Sequence, residues 1–343
     1  MNDRIKAPRG AIKASVKLPS SKSISNRALI LNALSNSSFG VANLSDCDDT
    51  NLMVNALRSE GCDFNVGAAG TTMRFLTAFL AQREGQWTIT GSARMKNRPI
   101  KVLVEALNAL GAHIEYIEKE GFPPLRIAGC PLRGGEISLP GDISSQYISA
   151  LLMIAPFMRQ GVTLHLVGEI VSRPYIHITL QLMRQFGVQS TWADHTIKVW
   201  PQRYQPVRFT VESDWSAASY WYQIMALSPS AEIELLGLFE QSLQGDAAGT
   251  KLFSQLGVET LFTERGVRLR HNGKRCQRLD YDFVNEPDLA QTFVVTCALL
   301  NVPFRFTGLQ SLKIKETDRI EALKNELLKL GYVLHDEQDS ILS

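Results

Sequence analysis

The sequence predicts an α/β fold assembled from repeated supersecondary modules, on three observations. One two-helix pattern recurs five times, short alternating segments lie between the helices, and the first helix of most copies is apolar around much of its circumference. The first helices are predicted in PSSKSISNRALILNAL from Pro19, GAAGTTMRFLTAFLA from Gly67, GDISSQYISALLMIAP from Gly141, ESDWSAASYWYQIMAL from Glu212 and NEPDLAQTFVVTCALL from Asn285. Each opens on small, polar or charged residues and then turns apolar, as a helix entering a core does. A more amphipathic second helix follows in DDTNLMVNALRSEG, RPIKVLVEALNALG, RPYIHITLQLMRQFG, DAAGTKLFSQLG and ETDRIEALKNELLKLG, most of which stop at a glycine. Copies two to five recur at roughly 70 to 75 residues, too long for an ordinary solenoid unit, so they read as modules and not as a stacked array.

Between the helices, HIEYIE, PLRIA, EISL, VTLHLVG, HTIKVW, VRFTVE, EIELLGL, VRLRHNG and FRFTGL alternate as half-buried strands do. Apolar first helices and charged second helices then imply sheets wrapped outside buried parallel helices. Turn-rich segments, GFPPLRIAGCPLRGG and WPQRYQPVRF, separate copies two and three and copies three and four. A domain change is expected near Val211 to Asp214, with three copies before it and two after. A sixth copy that this logic calls for is absent, and the sequence stops beyond Gly331 in what reads as the middle of a strand.

The 343 residues suit two or three domains with substantial cores, and a formal charge of +2 argues against a general nucleic-acid or membrane-surface protein. Five cysteines without a CxxC pair read as reduced structural thiols. Residues 1–13 lack the apolar core of a secretory signal, and no run approaches about 18 uninterrupted apolar residues. A soluble cytoplasmic chain is expected, monomeric, with neither nucleic acid nor membrane as partner. The six histidines are scattered and form no HExxH, so catalysis is expected to run on Lys, Arg, Asp and Glu and not on a metal.

Helix N-termini offer unpaired N–H groups and a positive dipole end, which makes them anion sites when Lys or Arg stands nearby. Ser20, Ser21, Lys22, Ser23, Ser25 and Arg27 crowd the first opening, where phosphate is the natural partner; the same serines would also serve as plain caps. Gly70 lets backbone approach a ligand, with Thr71 and Thr72 as caps, and Arg94, Lys96 and Arg98 stand before a helix that Pro99 can start. Ser144, Ser145 and Gln146 suit a polyhydroxy substrate, as do Ser172, Arg173 and Tyr175. Asp288, at the head of an apolar helix, reads as an ionised general base or as an N-cap. Lys313, Lys315, Glu316, Asp318 and Arg319 gather at one helix start, either as a solvated capping cluster or for proton transfer beside a phosphate.

In family order, the SKSxSNR, AGTxMR, RMKxRP, SSQ, SxPY, PD and KETDR segments resemble the enolpyruvyl transferases that act on shikimate 3-phosphate, from about Ala7 to Gly331. The resemblance implies a two-domain inside-out α/β barrel of repeated βαβαββ units that closes over its ligands, with the last unit of the second domain missing here. Residues 14–212 would form the shikimate-phosphate domain of three units, and 1–13 with 213–343 the second domain. It further implies transfer of the enolpyruvyl group of phosphoenolpyruvate to the 5-hydroxyl of shikimate 3-phosphate, through a tetrahedral ketal phosphate and without metal or organic cofactor. Lys22 and Arg98, helped by Gly70, Gln146 and Arg319, would hold phosphoenolpyruvate. Ser23, Arg27, Ser144, Ser145, Ser172 and Tyr175 would hold shikimate 3-phosphate. Asp288 would take the hydroxyl proton, Glu316 beside Lys315 would protonate the methylene carbon, and Lys22 would assist departure of phosphate.

This sequence also departs from the family pattern. Ala68 replaces a common asparagine, Phe75 a common proline, and the loop before Gly67 is short. A DHR-type motif and a late lysine of the sixth unit have no counterpart, a loss of roughly 1.5 to 3 kcal/mol per charge-assisted contact. Two rivals follow: a ligand-binding remnant without turnover, and a transferase acting on UDP-N-acetylglucosamine, which would carry a cysteine ahead of its RP segment where Gly91 to Arg98 has none.

Overall fold

The computed structural model describes residues 10–314, 317–337 and 341–343, which group into two compact units, one of residues 20–211 and one joining residues 10–19 to 212–343. The chain opens with β1 (Ile12–Lys17) and then enters the 20–211 unit. There it forms α1 (Lys22–Leu34), β2 (Val41–Ala42), α2 (Asp48–Arg58), β3 (Asp63–Asn65), α3 (Gly70–Ala81), β4 (Gly85–Thr90), α4 (Lys101–Ala109), β5 (His113–Tyr116) and β6 (Leu125–Gly129). It continues with β7 (Gly135–Pro140), α5 (Ser145–Ile154), β8 (Val162–Val167), α6 (Arg173–Gln185), β9 (Ser190–Ala193), β10 (Thr196–Val199) and β11 (Phe209–Thr210). The other unit then runs α7 (Trp215–Leu227), β12 (Ala231–Leu236), α8 (Gly249–Gln255), β13 (Val258–Thr263), β14 (Gly266–His271), β15 (Leu279–Asp282), α9 (Ala290–Leu300), β16 (Phe304–Thr307), α10 (Arg319–Leu328), β17 (Asp336–Glu337) and β18 (Ile341–Leu342).

Four sheets share one topology. Their orders are β3-β4-β6-β5, β7-β8-β10-β9, β15-β16-β18-β17 and β1-β12-β14-β13. In each, the first two strands are parallel and the last two form an antiparallel hairpin. Parallel neighbours need a crossover, and α3, α5 and α9 supply it in three of the sheets. In the fourth, the partner strands β1 and β12 are separated by the whole 20–211 unit before α7 is reached. Their register runs from Ile12 opposite Ala231 to Lys17 opposite Leu236, so residues 14–17 belong to this sheet. The chain therefore leaves the unit after Pro19, six residues later than the boundary expected between residues 13 and 14.

The first copy differs from the rest. Its β2 pairs only with β11, from the far end of the same unit, and after α2 the chain passes directly to β3. The hairpin that completes the other sheets has no counterpart here, which gives structural content to the short loop noted before Gly67.

First helices are the core. All twelve residues of α3 are buried, as are all of α5 except Gln146, whereas α2 buries only Thr50 and Met53. Burying a helix on every side leaves its polar side chains no water, and they turn to nearby backbone: Thr77 Oγ1 donates to the carbonyl of Met73 at 2.7 Å. At the far ends of α4 and α6, Gly111 (φ 107°) and Gly187 (φ 88°) take the left-handed conformation that closes a helix, as the glycine stops in the sequence anticipated. The second helix of the fourth copy is shorter than its sequence suggested, a 3-10 turn over Gly245–Ala248 leading into α8. Among the described residues no helix is long and apolar enough to cross a membrane.

In the other unit α7 and α9 meet along a polar seam inside an apolar core. Ser219 Oγ and Thr292 Oγ1 lie 2.9 Å apart, and Gln223 Nε2 donates to Thr292 O and Thr296 Oγ1, each at 3.1 Å. Beside the seam Phe293 packs at a tilt between Phe253 and Phe283, with ring centroids 4.4 and 5.7 Å away. Phe293→Ala is expected to lower unfolding stability by about 3 to 5 kcal/mol, read as the urea midpoint. Leu328→Ala, at an exposed position, is expected to shift it by no more than about 0.5 kcal/mol.

Candidate active site

In the 20–211 unit the N-terminal ends of α1, α3, α5 and α6 carry the predicted residues and are tied to one another by hydrogen bonds. Ser21 caps α1 by accepting from the Ile24 amide, so Lys22 and Ser23 occupy its first turn and are partly exposed. One turn on, Arg27 is 2% exposed. Its Nε donates to Thr179 Oγ1 at 2.7 Å, Nη1 to the Ser23 carbonyl at 2.8 Å, and Nη2 to Ser149 Oγ at 3.0 Å and the Tyr175 carbonyl at 3.3 Å. Phe75 lies under the guanidinium at 5.2 Å. Arg27 thereby links α1, α5 and α6 and leaves one of its five N–H groups for a ligand. Burial lowers its pKa to about 10, so it stays charged at neutral pH. Among the described residues no carboxylate pairs with it.

The α3 terminus has no side-chain cap of its own. Thr71 and Thr72 were expected to cap it, but they sit inside its first turn; Asp49 from α2 accepts from the Thr71 amide at 3.3 Å, and Thr72 Oγ1 donates to the Asp49 carbonyl at 2.7 Å. Arg98 lies across Gly70. A Cβ at Gly70 would stand 2.6 Å from Arg98 Nη1, so glycine is what lets the guanidinium rest on the backbone. Pro99 does not start α4, which begins at Lys101 after Ile100.

At α5, Ser144 is the cap and accepts from the Gln146 amide at 3.4 Å. Gln146 Nε2 reaches α3 by donating to Thr71 Oγ1 at 3.3 Å, and Ser145 is buried. Ser172 precedes α6 at φ 54°, a left-handed conformation that costs a non-glycine residue about 1 kcal/mol or more. Arg173 turns away onto the Trp192 ring at 5.6 Å, while Tyr175 offers its carbonyl to Arg27. Lys22, Ser23, Arg27, Gly70, Arg98, Ser144, Ser145, Gln146, Ser172 and Tyr175 thus all belong to one set of linked helix ends or the segments packed on them.

In the other unit Arg319, the first residue of α10, pairs with Asp288 at 2.8 Å. Its Nη1 also donates to Gln291 Oε1 at 3.1 Å, and Gln291 Nε2 donates to the Asp288 carbonyl at 2.8 Å and to Tyr220 OH at 3.2 Å. Asp288 is not the cap of α9, which begins at Ala290, and its carboxylate is turned to Arg319. Lys315 and Glu316 lie outside the described residues.

Several contributors escaped the sequence reading. Ser149 and Thr179, one on each of α5 and α6, hold Arg27, and nothing but their small polar character on a buried helix face marks them. Asp246 is 6% exposed and accepts from Ser216 Oγ, with Asp288, Asp214 and Glu286 as charged neighbours. Burial, and then the charge of Asp288, raises its pKa. Arg74 and Tyr147 stood inside recognised motifs without a role.

A family model described as EPSP synthase (3-phosphoshikimate 1-carboxyvinyltransferase) matches residues 6–64 and 59–343. The 3-phosphoshikimate 1-carboxyvinyltransferase of Bacteroides fragilis is 65% identical over 333 residues, covering 97% of this chain and 81% of that protein. The protein of the same description from Vibrio cholerae is 38% identical over 360 residues, 96% of this chain and 84% of its own. A solved structure of EPSP synthase from Acinetobacter baumannii shares the fold at a TM-score of 0.78 and 19% identity, over 97% of this chain and 81% of that one.

The raised pKa of Asp246 predicts a pH signature. Because the folded chain keeps this proton to higher pH than the unfolded chain, Asp246 contributes a stability loss that grows from the ordinary carboxyl value of 3.8 up to about 8. Asp246→Asn is expected to gain stability relative to the parent as pH rises across that window, checked by urea midpoints for both proteins at its two ends.

Proposed function

This chain belongs to the EPSP synthase family, and on that premise we propose that it transfers the enolpyruvyl group of phosphoenolpyruvate to the 5-hydroxyl of shikimate 3-phosphate, releasing phosphate. The observation that carries the reading at the site is Arg27, a buried cation without an acid partner among the described residues, tied into helix ends whose dipoles also favour an anion. The remnant without turnover is disfavoured by 65% identity to a 3-phosphoshikimate 1-carboxyvinyltransferase over 97% of this chain. The relatives from Bacteroides fragilis and Vibrio cholerae are described as 3-phosphoshikimate 1-carboxyvinyltransferases, which favours this reading over the UDP-N-acetylglucosamine alternative.

In this reading Ser23, Arg27, Ser144, Ser145, Ser172 and Tyr175 hold shikimate 3-phosphate. Arg27 offers one N–H and a fixed charge, while the serines supply hydroxyls matched to the phosphate and the ring. Lys22 and Arg98 hold phosphoenolpyruvate with Gly70, Gln146 and Arg319. Asp288 takes the 5-hydroxyl proton as that oxygen attacks C2 of phosphoenolpyruvate, and Glu316, beside Lys315, gives a proton to C3. The resulting ketal phosphate collapses by losing a C3 proton and the phosphate group, whose departure Lys22 assists by neutralising the leaving oxygen. Fixed cations suit this path because several negative charges must be held at once. The Arg319 pair keeps the Asp288 carboxylate oriented before substrate arrives.

The finer architecture belongs to this proposal: each domain is an inside-out α/β barrel of βαβαββ units with the first helices inside, the 20–211 unit being the shikimate-phosphate side. Burial of α3 and α5 and the recurring sheet order support it. Among the described residues the first copy contributes β2 to a two-stranded sheet with β11, and the other four copies each have a four-stranded sheet. A cytoplasmic, monomeric enzyme is the corresponding expectation for its setting.

Coupled measurement of phosphate release and separate titration with shikimate 3-phosphate test the reading. Lys22→Met is expected to fold and to lose at least ~10²-fold in kcat; near-parental turnover would remove Lys22 from the site. Asp288→Ala should lower kcat by ~10² or more while shikimate 3-phosphate affinity stays within about threefold. Gly70→Ala should raise the KM for phosphoenolpyruvate at least ~10-fold by displacing Arg98, with less effect on shikimate 3-phosphate.

A further inference from the structure

Arg74 and Tyr147 converge on the carbonyl that follows Arg98. Arg74 is 3% exposed and Tyr147 is 7% exposed. Arg74 Nη2 donates to the Pro99 carbonyl at 3.0 Å, and Tyr147 OH donates to the same oxygen at 2.5 Å. Two donors on one carbonyl hold the Pro99–Ile100 peptide plane, and the ring-locked φ of Pro99 carries that constraint to the backbone of Arg98. Arg74 Nη1 donates at the same time to the Gly70 carbonyl at 3.1 Å and contacts Met95 Sδ at 3.6 Å. Its guanidinium stands over the Tyr147 ring at 5.7 Å. One side chain from α3 therefore fastens three things together: the first turn of its own helix, the segment from Met95 to Pro99, and the first turn of α5.

Arg98 itself lies nearer the surface. It is only partly buried, its Nη1 lies 3.5 Å from the Ala68 carbonyl, and its guanidinium rests on Gly70, whose own carbonyl is gripped by Arg74. A flexible arginine can bind an anion strongly only if its backbone and its platform do not move, because each freedom lost on binding subtracts from affinity. We infer that Arg74 and Tyr147 form a positioning pair for Arg98, fixing the Pro99 carbonyl and the Gly70 platform so that the Arg98 guanidinium is set for an anionic substrate before it binds. This rests on Arg98 being a phosphoenolpyruvate ligand.

Tyr147→Phe is the cleanest probe, since it removes one donor and nearly no volume. The pair predicts a rise of about fivefold in the KM for phosphoenolpyruvate, the worth of one hydrogen bond, with the KM for shikimate 3-phosphate within about 1.5-fold of the parent. The decisive arm repeats Tyr147→Phe on an Arg98→Ala background, where it should change phosphoenolpyruvate affinity by less than about 1.5-fold. Arg74→Lys, which keeps the charge but cannot span both carbonyls, should behave like Tyr147→Phe; should it fail to fold by circular dichroism, the Tyr147 cycle alone decides. Equal penalties for Tyr147→Phe with and without Arg98, or equal losses for both substrates, would overturn the inference while leaving Arg98 as a ligand. An Arg98→Ala enzyme with unchanged phosphoenolpyruvate affinity would overturn both together.

Discussion

Arg27 is a full positive charge inside the 20–211 unit, 2% exposed and with no carboxylate partner among the described residues. Water would normally solvate such a group, and burial accordingly draws its pKa down. What keeps it in place are neutral acceptors for four of its five N–H groups: Thr179 and Ser149 hydroxyls and the carbonyls of Ser23 and Tyr175. Those acceptors lie on α1, α5 and α6, so satisfying one guanidinium orients three helices. Because none of them is anionic, the positive potential is left for a ligand. The same pattern recurs at the neighbouring helix ends, where neutral polar groups tie the termini of α1, α3, α5 and α6 together: Gln146 donates to Thr71 just as Arg27 donates to Ser149 and Thr179.

In that arrangement α3 and α5 are buried along nearly their whole length and α1 and α6 along one face, which explains the polar residues in the core. Ser25, Thr72, Thr77, Ser149 and Thr179 in one unit, and Ser219, Thr292 and Thr296 in the other, are buried polar residues of these helices. Each small hydroxyl can return its hydrogen bond to the helix backbone or to a neighbouring helix at little steric cost. The α7–α9 seam does in one unit what the Arg27 network does in the other. Asp246 is the exception, a buried carboxyl beside Asp288 whose ionisation is opposed by its surroundings.

The modules themselves were readable. Each of the nine alternating segments picked out as strands overlaps a strand, and each of the ten helical segments contains a helix, because periodicity reports directly which face of an element meets the core. Boundaries were less legible. β1 pairs with a strand more than two hundred residues away in sequence, Ile12 opposite Ala231, and no local pattern announces so distant a partner. Thr71, Thr72 and Pro99 were misassigned as caps or a helix start, and of the two readings of Asp288 the cap falls away, for a related reason: Asp49 from α2 accepts from the α3 terminus and Asp288 turns to Arg319, so tertiary neighbours displaced the local choice.

By itself the sequence determined the module count, the buried character of the first helices and the residue types gathered at their openings, since these follow from the hydrophobic period and the chemistry of helix ends. Tertiary structure decided how those openings are joined: which acceptors hold Arg27, that Gly70 is the platform beneath Arg98, and that Arg74 and Tyr147 share the Pro99 carbonyl. Hydrogen bonds between residues 48 and 152 positions apart depend on helix packing, and a one-dimensional pattern carries no record of which side chains that packing brings within 3 Å.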